Sequence, residues 1–205
     1  MIYPRDGKKA VVFIGNTDDG NAPIDGNEAY RYARSGNCAD VYGIDPCDFR
    51  NTSNLNGNGK NVAYKKNNPN VNEIHVGGYN FTQICSDCIG GIGVFAPQTI
   101  DIIDVNMVFD LFPREEQYAS EFFRMSKEKL AQGGKLMISI GTNQFVRERY
   151  CDLLRESGFN VDMREFEPDE YDKTPWTRDM KNNHKDYRVF RIVASKPNYS
   201  GQIAL

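Results

Sequence analysis

The chain alternates short apolar runs with polar stretches, which is the pattern of strands separated by helices or crossovers. The first and fifth runs are almost continuously apolar, as in central strands that are covered on both faces. The last two runs alternate polar and apolar residues, as in strands near a sheet edge. The seven runs are residues 10–14, 39–44, 71–76, 100–105, 135–140, 161–166 and 187–194. They predict a sheet of seven strands.

Three stretches between these runs have apolar residues at helical spacing, namely residues 26–35, 113–132 and 143–157. Gly133 and Gly134 end the second stretch and Gly158 follows the third, as is typical of helix ends. The apolar stripes consist of Ala29, Tyr32 and Ala33; of Tyr118, Phe122, Met125 and Leu130; and of Phe145, Val146, Tyr150, Leu153 and Leu154. Each stripe predicts an amphipathic helix that packs on the sheet.

The alternation of strands and helices predicts an α/β fold with a mostly parallel sheet covered on both faces. Residues 50–70 are rich in Asn and Gly, and residues 81–98 are similarly irregular, so we expect no regular element in either segment. The chain has no internal repeat and no domain-scale linker. We therefore expect one domain over residues 1–195 and a flexible tail over residues 196–205.

Composition narrows the class of protein. The 205 residues include 40% hydrophobic and 26% charged residues, which is ordinary for a folded domain, and the formal charge is −3. A chain with this charge is not a general polycation, although a local basic patch would still suit nucleic acid. The polar amino terminus and the absence of a run of about 18 apolar residues lead us to expect no signal peptide, no membrane span and a cytoplasmic protein.

The cysteines are expected to be free thiols, because their number is odd and no secretory signal precedes them. Cys85 and Cys88 form half of a zinc pattern. Cys38 and Cys47 bracket a predicted strand, and nine extended residues would hold them roughly 30 Å apart. The four thiols therefore do not converge on one metal, and we expect no metal site, while a role for Cys85 and Cys88 alone stays open.

Three blocks of sequence resemble class I methyltransferases that use S-adenosyl-L-methionine (SAM). The stretch LAQGGKLMISIGTNQFVRERYCDLLRESGFNV (130–161) resembles their Gly-Gly turn, strand five and following helix. ADVYGIDP (39–46) is similar to strand two with its terminal acid, and TIDIIDVNMVFDLFP (99–113) to strand four and its loop. The resemblance spans about residues 10–194. It implies a Rossmann-like three-layer sandwich whose seven-stranded sheet has an antiparallel last strand, with SAM as cofactor.

The resemblance also implies where the cofactor binds. Gly15 would let the backbone approach the cofactor closely, and Asp45 would accept hydrogen bonds from the ribose hydroxyls. Tyr79 or Asn80, after the third predicted strand, would contact adenine, and Asn106 would line the methyl-transfer pocket. Structural roles alone are the alternatives: a turn at Asp45, a strand-ending turn before Tyr79, and a cap at Asn106.

The loop after the first strand departs from the family pattern. Methyltransferases carry Asp/Glu-x-Gly-x-Gly-x-Gly there, whereas this chain has FIGNTDDG, with only Gly15 and Gly20. We expect the polar side chains between them, including Asn16 and Asp18, to replace the usual cofactor contacts. Loss of cofactor binding, which would leave a non-catalytic scaffold, is the alternative.

For the methyl acceptor, the sequence favours guanine N7 of an RNA cap. Gly141, Thr142 and Asn143 are similar to a turn of the cap guanine-N7 enzymes, although their His-Tyr pair after strand four is missing here. Ribose 2′-O enzymes need a lysine where this chain has Ser139, which argues against that reaction. Guanine N7 has a lone pair and no proton to lose, so proximity and orientation suffice without a catalytic side chain.

Aromatic and basic residues cluster late in the chain, and Trp176 is the only tryptophan. Stacking on a base with basic groups on phosphates would suit a capped RNA (GpppN) end. The expected acceptor contacts are Phe112, Tyr171, Trp176 and Arg178. The alternatives are that Trp176 anchors its loop and Phe112 belongs to the core, and that the acceptor is a small molecule or a protein. The compact size and Asn-rich segments suggest a viral domain that acts in a host cytoplasm.

Overall fold

A computed structural model describes most of the chain, and the statements below concern the described residues. These are residues 1–4, 7–15, 28–36, 39–45, 70–76, 79–106, 116–141, 143–168, 170, 182 and 188–197. The strands are β1 Lys9–Ile14, β2 Ala39–Asp45, β3 Asn70–Val76, β4 Tyr79–Cys85, β5 Ile100–Asn106, β6 Leu130–Ile140, β7 Asn160–Glu165 and β8 Phe190–Ser195. The helices are α1 Glu28–Arg34, α2 Cys88–Gly93, α3 Glu116–Lys129 and α4 Gln144–Glu156.

The strands form one sheet in the order β3-β4-β2-β1-β5-β6-β8-β7. β4, β2, β1, β5 and β6 run parallel, whereas β8 runs antiparallel to both β6 and β7. The predicted Rossmann-like fold with an antiparallel last strand is therefore confirmed. The strand order reverses direction at β1 and β5, and such a switch point opens a crevice beyond the carboxyl ends of the strands.

The third predicted strand is placed wrongly within this fold. Residues 71–76 form β3, an added edge strand that pairs antiparallel with β4. The strand that continues the parallel sheet is β4, which lies beside β2. β4 and α2 together occupy most of the segment 81–98, for which the sequence pattern predicts no regular structure. The sheet thus has eight strands among the described residues. Without the edge strand β3, the other seven form the mostly parallel sheet, in which β4 takes the place predicted for residues 71–76.

The sequence pattern does not predict helix α2, because its CIGGIG sequence has three glycines and no apolar stripe. Asp87 fixes its start, since the carboxylate accepts a hydrogen bond from the Gly90 amide at 2.6 Å. Gly91 lies against β2, where an added Cβ would come within 2.5 Å of Ile44 Cγ2. The glycines therefore allow a helix to lie directly on the sheet.

Apolar side chains cover the two faces of the sheet unequally. Helices α2, α3 and α4 pack on one face around a large core that includes Phe95, Phe122 and Leu154. On the other face α1 packs against a smaller cluster that includes Val11 and Phe81. Of the described helices, α1 alone packs on that second face, and the β5-β6-β8 part of the face carries Asp104, Ser139 and Arg191, which are largely buried.

The three predicted helices are confirmed with shorter bounds. Two assignments within them are wrong. Leu130 begins β6 instead of extending the stripe of α3, and Phe145 does not belong to the buried stripe of α4, because its side chain is 79% exposed. Phe145 lies in the first turn of the helix, two residues after the cap residue Asn143, whose Oδ1 accepts a hydrogen bond from the Val146 amide at 3.2 Å. Among the described helices, none is long and apolar enough to cross a membrane.

Candidate functional site

A row of polar residues lies across the sheet where the parallel strands end. Gly15 follows β1, and its amide donates to the Ile44 carbonyl at 3.0 Å, which places it beside Asp45 at the end of β2. Asn106 ends β5 and lies in register with Ser139 of β6. Residues two apart along a strand share a face, so these side chains lie on the same face as Phe13, the face that α1 covers.

Asn106 connects three elements at this edge. Its Nδ2 group donates a hydrogen bond to the carboxyl of Glu28, the first residue of α1. Its Oδ1 atom accepts a hydrogen bond from Ser139 Oγ at 2.9 Å. Because both ends of the amide are engaged, its orientation is determined by these partners. Glu28 and Ser139 therefore hold Asn106 in place at the switch point.

A buried ion pair lies next to this amide. Arg191 of β8 donates to the Asp104 carboxylate at 2.7 Å, and each side chain is only 13% exposed. The Arg191 guanidinium also lies 5.0 Å from the ring centre of Phe166. Burial raises the pKa of Asp104, while the charge and hydrogen bond of Arg191 oppose that rise. The charged form of Asp104 is therefore stabilised by Arg191.

The acidity of Glu28 is altered as well. Burial, together with the negative charge of Asp104, raises its pKa from the ordinary 4.5 to about 8. The hydrogen bond from Asn106 and the positive charges of Arg191 and Arg31 only partly oppose this rise. At neutral pH Glu28 is accordingly protonated in most molecules. The sequence reasoning missed this residue, because nothing local distinguishes a half-buried glutamate from a solvent-exposed one in the first turn of a helix.

These side chains surround a cavity of about 460 Å³ between α1 and the open part of the sheet. Its volume falls in the range of small-molecule sites. Phe13 and Tyr32 contribute aromatic rings whose centres are 5.4 Å apart. The described residues that line the cavity are Phe13, Glu28, Arg31, Tyr32, Ser35, Asp104, Asn106 and Arg191. The cavity combines aromatic walls with carboxyl, guanidinium and amide groups.

Three of the predicted cofactor residues lie at the expected edge of the sheet. Gly15 has a φ of 70°, in the left-handed region that glycine adopts without strain. Asp45 is 3% exposed at the end of β2, and Asn106 ends β5. Their contacts with a cofactor stay a prediction.

The expected position of Tyr79 and Asn80 is wrong. These residues begin β4 rather than follow a strand, so they lie at the opposite edge of the sheet from Asp45. The ring of Tyr79 packs edge-on against Tyr30. The residue that ends β4 is Cys85, in register with Asp45, and the following Ser86 amide donates to the Asp45 carbonyl at 3.2 Å. A ligand at the carboxyl edge would meet Cys85 and Ser86 instead.

The remaining predicted site residues, Asn16, Asp18, Phe112, Tyr171, Trp176 and Arg178, lie outside the described residues, so their roles stay predictions. Cys38 and Cys47 also lie outside them. Cys85, Cys88 and Cys151 are free thiols. No three His, Cys, Asp or Glu side chains within the described part of the chain converge in a way that would hold a metal ion.

No protein-family model and no curated protein matches the sequence. Solved structures do resemble the fold. The 16S rRNA methyltransferase KamB aligns with a TM-score of 0.61 and 17% identity over 93% of this chain and 89% of its own. A 16S rRNA (adenine(1408)-N(1))-methyltransferase with cosubstrate SAM from Catenulisporales acidiphilia aligns with a TM-score of 0.59 and 18% identity over 95% and 88%.

Another similar structure, the [4+2]-cyclase SpnF, aligns with a TM-score of 0.57 and 14% identity over 94% of this chain and 77% of its own. At these identities the likeness concerns the fold. Since proteins named as methyltransferases and as a cyclase share it, the activity has to be argued from the site.

Proposed function

We propose that this protein is a SAM-dependent methyltransferase. The observation that carries the proposal is the convergence of Gly15, Asp45 and Asn106 at the switch point of the sheet, beside a cavity of about 460 Å³. Ligands of open α/β sheets bind at such points. The similar folds of two 16S rRNA methyltransferases, one of them with cosubstrate SAM, support this choice.

The residues present fit SAM chemically. A carboxylate at the end of β2 suits the ribose hydroxyls, and the left-handed Gly15 offers backbone without a side chain in the way. Aromatic rings and a carboxyl group in the adjoining cavity suit a positively charged centre. When bound, the cofactor supplies an electrophilic methyl group.

The chain's own residues would then position the reactants. Asp45 and Gly15 hold the nucleoside end of the cofactor, while Asn106, held by Glu28 and Ser139, presents its amide to the acceptor. Phe13 and Tyr32 give the cavity an apolar wall. Proximity and orientation of this kind account for a large part of the barrier reduction in reactions between two bound reactants.

For the acceptor we propose guanine N7 of a capped RNA (GpppN) end, bound in the cytoplasm with contacts from Phe112, Tyr171, Trp176 and Arg178. Three arguments support it. The Gly141–Asn143 segment resembles that of cap enzymes, two of the three structural neighbours named above are 16S rRNA methyltransferases, and N7 has no proton to remove. The alternative acceptors are a ribose hydroxyl, a small molecule and a protein.

Calorimetry with SAM and with its demethylated product, S-adenosyl-L-homocysteine (SAH), tests the proposal first. We expect both to bind, and failure of both to bind would leave a cofactor-free scaffold. Radiolabelled methyl transfer then compares capped with uncapped RNA. We expect label on the capped RNA alone; label on neither RNA would reject the cap assignment, and label that persists after the guanine cap is replaced would indicate ribose chemistry.

Replacing Asp45 with alanine should weaken SAM binding by about 1–3 kcal/mol, or about 5- to 150-fold, because the ribose hydroxyls lose their acceptor. The dissociation constant measured by calorimetry checks this. Asp152→Ala is the matched control, since that aspartate is 57% exposed on α4 and pairs with Arg155. Equal affinities of the Asp45 variant and the control would show that Asp45 does not contact the cofactor.

A further inference from the structure

The cavity beside Asn106 contains a carboxyl group whose charge is poorly compensated. Glu28 accepts a hydrogen bond from the neutral amide of Asn106. The nearest guanidinium on the sheet, that of Arg191, is bonded to Asp104 at 2.7 Å. Arg31, one turn along α1, lines the same cavity and exerts the smallest of the influences on Glu28. Among the described residues, an ionised Glu28 would therefore have only the neutral Asn106 amide as a hydrogen-bond partner.

Among the described residues, the charged groups that act on Glu28 come from three elements. Arg31 lies on α1 itself, Asp104 on β5 and Arg191 on β8. Asp104 and Arg191 largely neutralise each other, and what remains of the Asp104 charge repels a negative Glu28. Burial adds to this repulsion, and together they raise the pKa of Glu28 to about 8. A positive charge that entered the cavity would stabilise an ionised Glu28 against both the burial and the repulsion by Asp104.

The walls of the cavity suit such a charge as well. Phe13 and Tyr32 lie next to each other, with ring centres 5.4 Å apart and planes inclined at 54°. Aromatic rings attract organic cations, and the attraction is strongest where water is excluded. A carboxyl group and two aromatic rings line the same space as the guanidinium groups of Arg31 and Arg191. With Glu28 ionised, the two carboxylates balance the two guanidinium groups, so an entering sulfonium or ammonium centre meets no net positive charge.

We propose that Glu28 is the counter-charge of the cavity and contacts the positively charged sulfonium centre of the methyl donor. This inference rests on the function proposed above and adds a residue and a ligand chemistry to it. Binding of the cation would ionise the carboxyl: the neutral Glu28 releases its proton to solvent, and the carboxylate stays with the cation. After transfer the donor becomes a neutral thioether, and Glu28 takes up a proton again.

Proton release can be measured by calorimetry at pH 7 in buffers of different ionisation enthalpy. SAM should release about 0.9 of a proton more than SAH, because a group with a pKa near 8 is about nine-tenths protonated there. The amino-acid portions of the two ligands are the same, so the difference reports on the sulfur centre. Equal proton release for SAM and SAH would overturn the proposal.

Glu28→Gln should abolish this difference and, at pH 8, weaken SAM binding relative to SAH by about tenfold. Retained SAH binding would show that the variant is folded. Glu116→Gln is the matched control, since Glu116 also begins a helix but is exposed and pairs with Arg149. A Glu28→Gln variant that still released the extra proton with SAM would assign the release to another group and overturn the proposal.

Binding of a simple cation tests the cation site independently of the proposed methyltransferase function. Trimethylsulfonium carries the same positive sulfur without a nucleoside. It should bind the wild-type protein weakly, in a manner that shifts the signals of cavity residues in NMR spectra, and Glu28→Gln should abolish those shifts. If SAM and SAH fail to bind while trimethylsulfonium does, the methyltransferase proposal fails and the cation site stands. If trimethylsulfonium leaves the cavity signals unchanged, the cation site fails.

Discussion

Replacing Arg191 with methionine should lower the free energy of unfolding by about 3–5 kcal/mol at pH 7, the usual cost of leaving one partner of a buried ion pair without the other. Asp104 and Arg191 are each 13% exposed and lie 2.7 Å apart. Without the guanidinium, burial would raise the pKa of Asp104 further. The cost should therefore be smaller at pH 5, where the carboxyl can take up a proton, than at pH 8.

Urea denaturation of a double variant gives the sharper test. Asp104→Asn combined with Arg191→Met removes both charges, so it should be less destabilised than Arg191→Met alone. Arg188→Met is the matched control, because Arg188 pairs with Glu165 at 3.1 Å on the surface and should contribute no more than about 1 kcal/mol. Additive effects of the two substitutions at Asp104 and Arg191 would show that the pair is not coupled.

The sequence could predict the edge of the sheet at which Gly15, Asp45 and Asn106 lie. Each residue follows or ends an apolar run, and parallel strands bring such ends together whatever the details of packing. The third strand could not be located in the same way. Residues 71–76 and 79–85 both have strand character, and only pairing with β2 decides that β4 joins the parallel sheet while β3 lies outside it.

Sequence patterns could not predict the polar network of Glu28, Asp104 and Arg191, for a different reason. Glu28, Asp104 and Arg191 are far apart along the chain, and each looks like an ordinary surface charge in its own segment. They come together only because β1, β5 and β8 lie in one sheet and α1 packs on the same face, so that all three side chains line one cavity. Phe145 is the opposite case, an apolar residue that is exposed. Helical spacing predicts it in the core, but the helix begins at the rim of the sheet, where the Phe145 side chain reaches solvent.

The stability of the ligand-free protein should fall as the pH rises from about 5 to 9, and Glu28→Gln should remove most of that fall. The pKa of Glu28 is about 8 in the folded protein and near 4.5 in the unfolded chain, so the unfolded chain loses this proton first. Below pH 4.5 both states are protonated and the contribution to stability is complete. Between the two pKa values each pH unit costs at most about 1.4 kcal/mol, so the total over this range is at most about 5 kcal/mol.

Urea denaturation at pH 5, 7 and 9 checks this without any cofactor. The advantage of Glu28→Gln over the wild type should grow with pH, whereas Glu116→Gln should show no such trend, because Arg149 lowers the pKa of Glu116 instead. Parallel curves for the wild type and Glu28→Gln would mean that Glu28 is already ionised in the free protein. The Glu28→Gln variant thus reports on the charge of the empty cavity. A cation that binds in the cavity should stabilise the wild type at high pH but not the variant, because only the wild type carries the carboxylate that the cation neutralises.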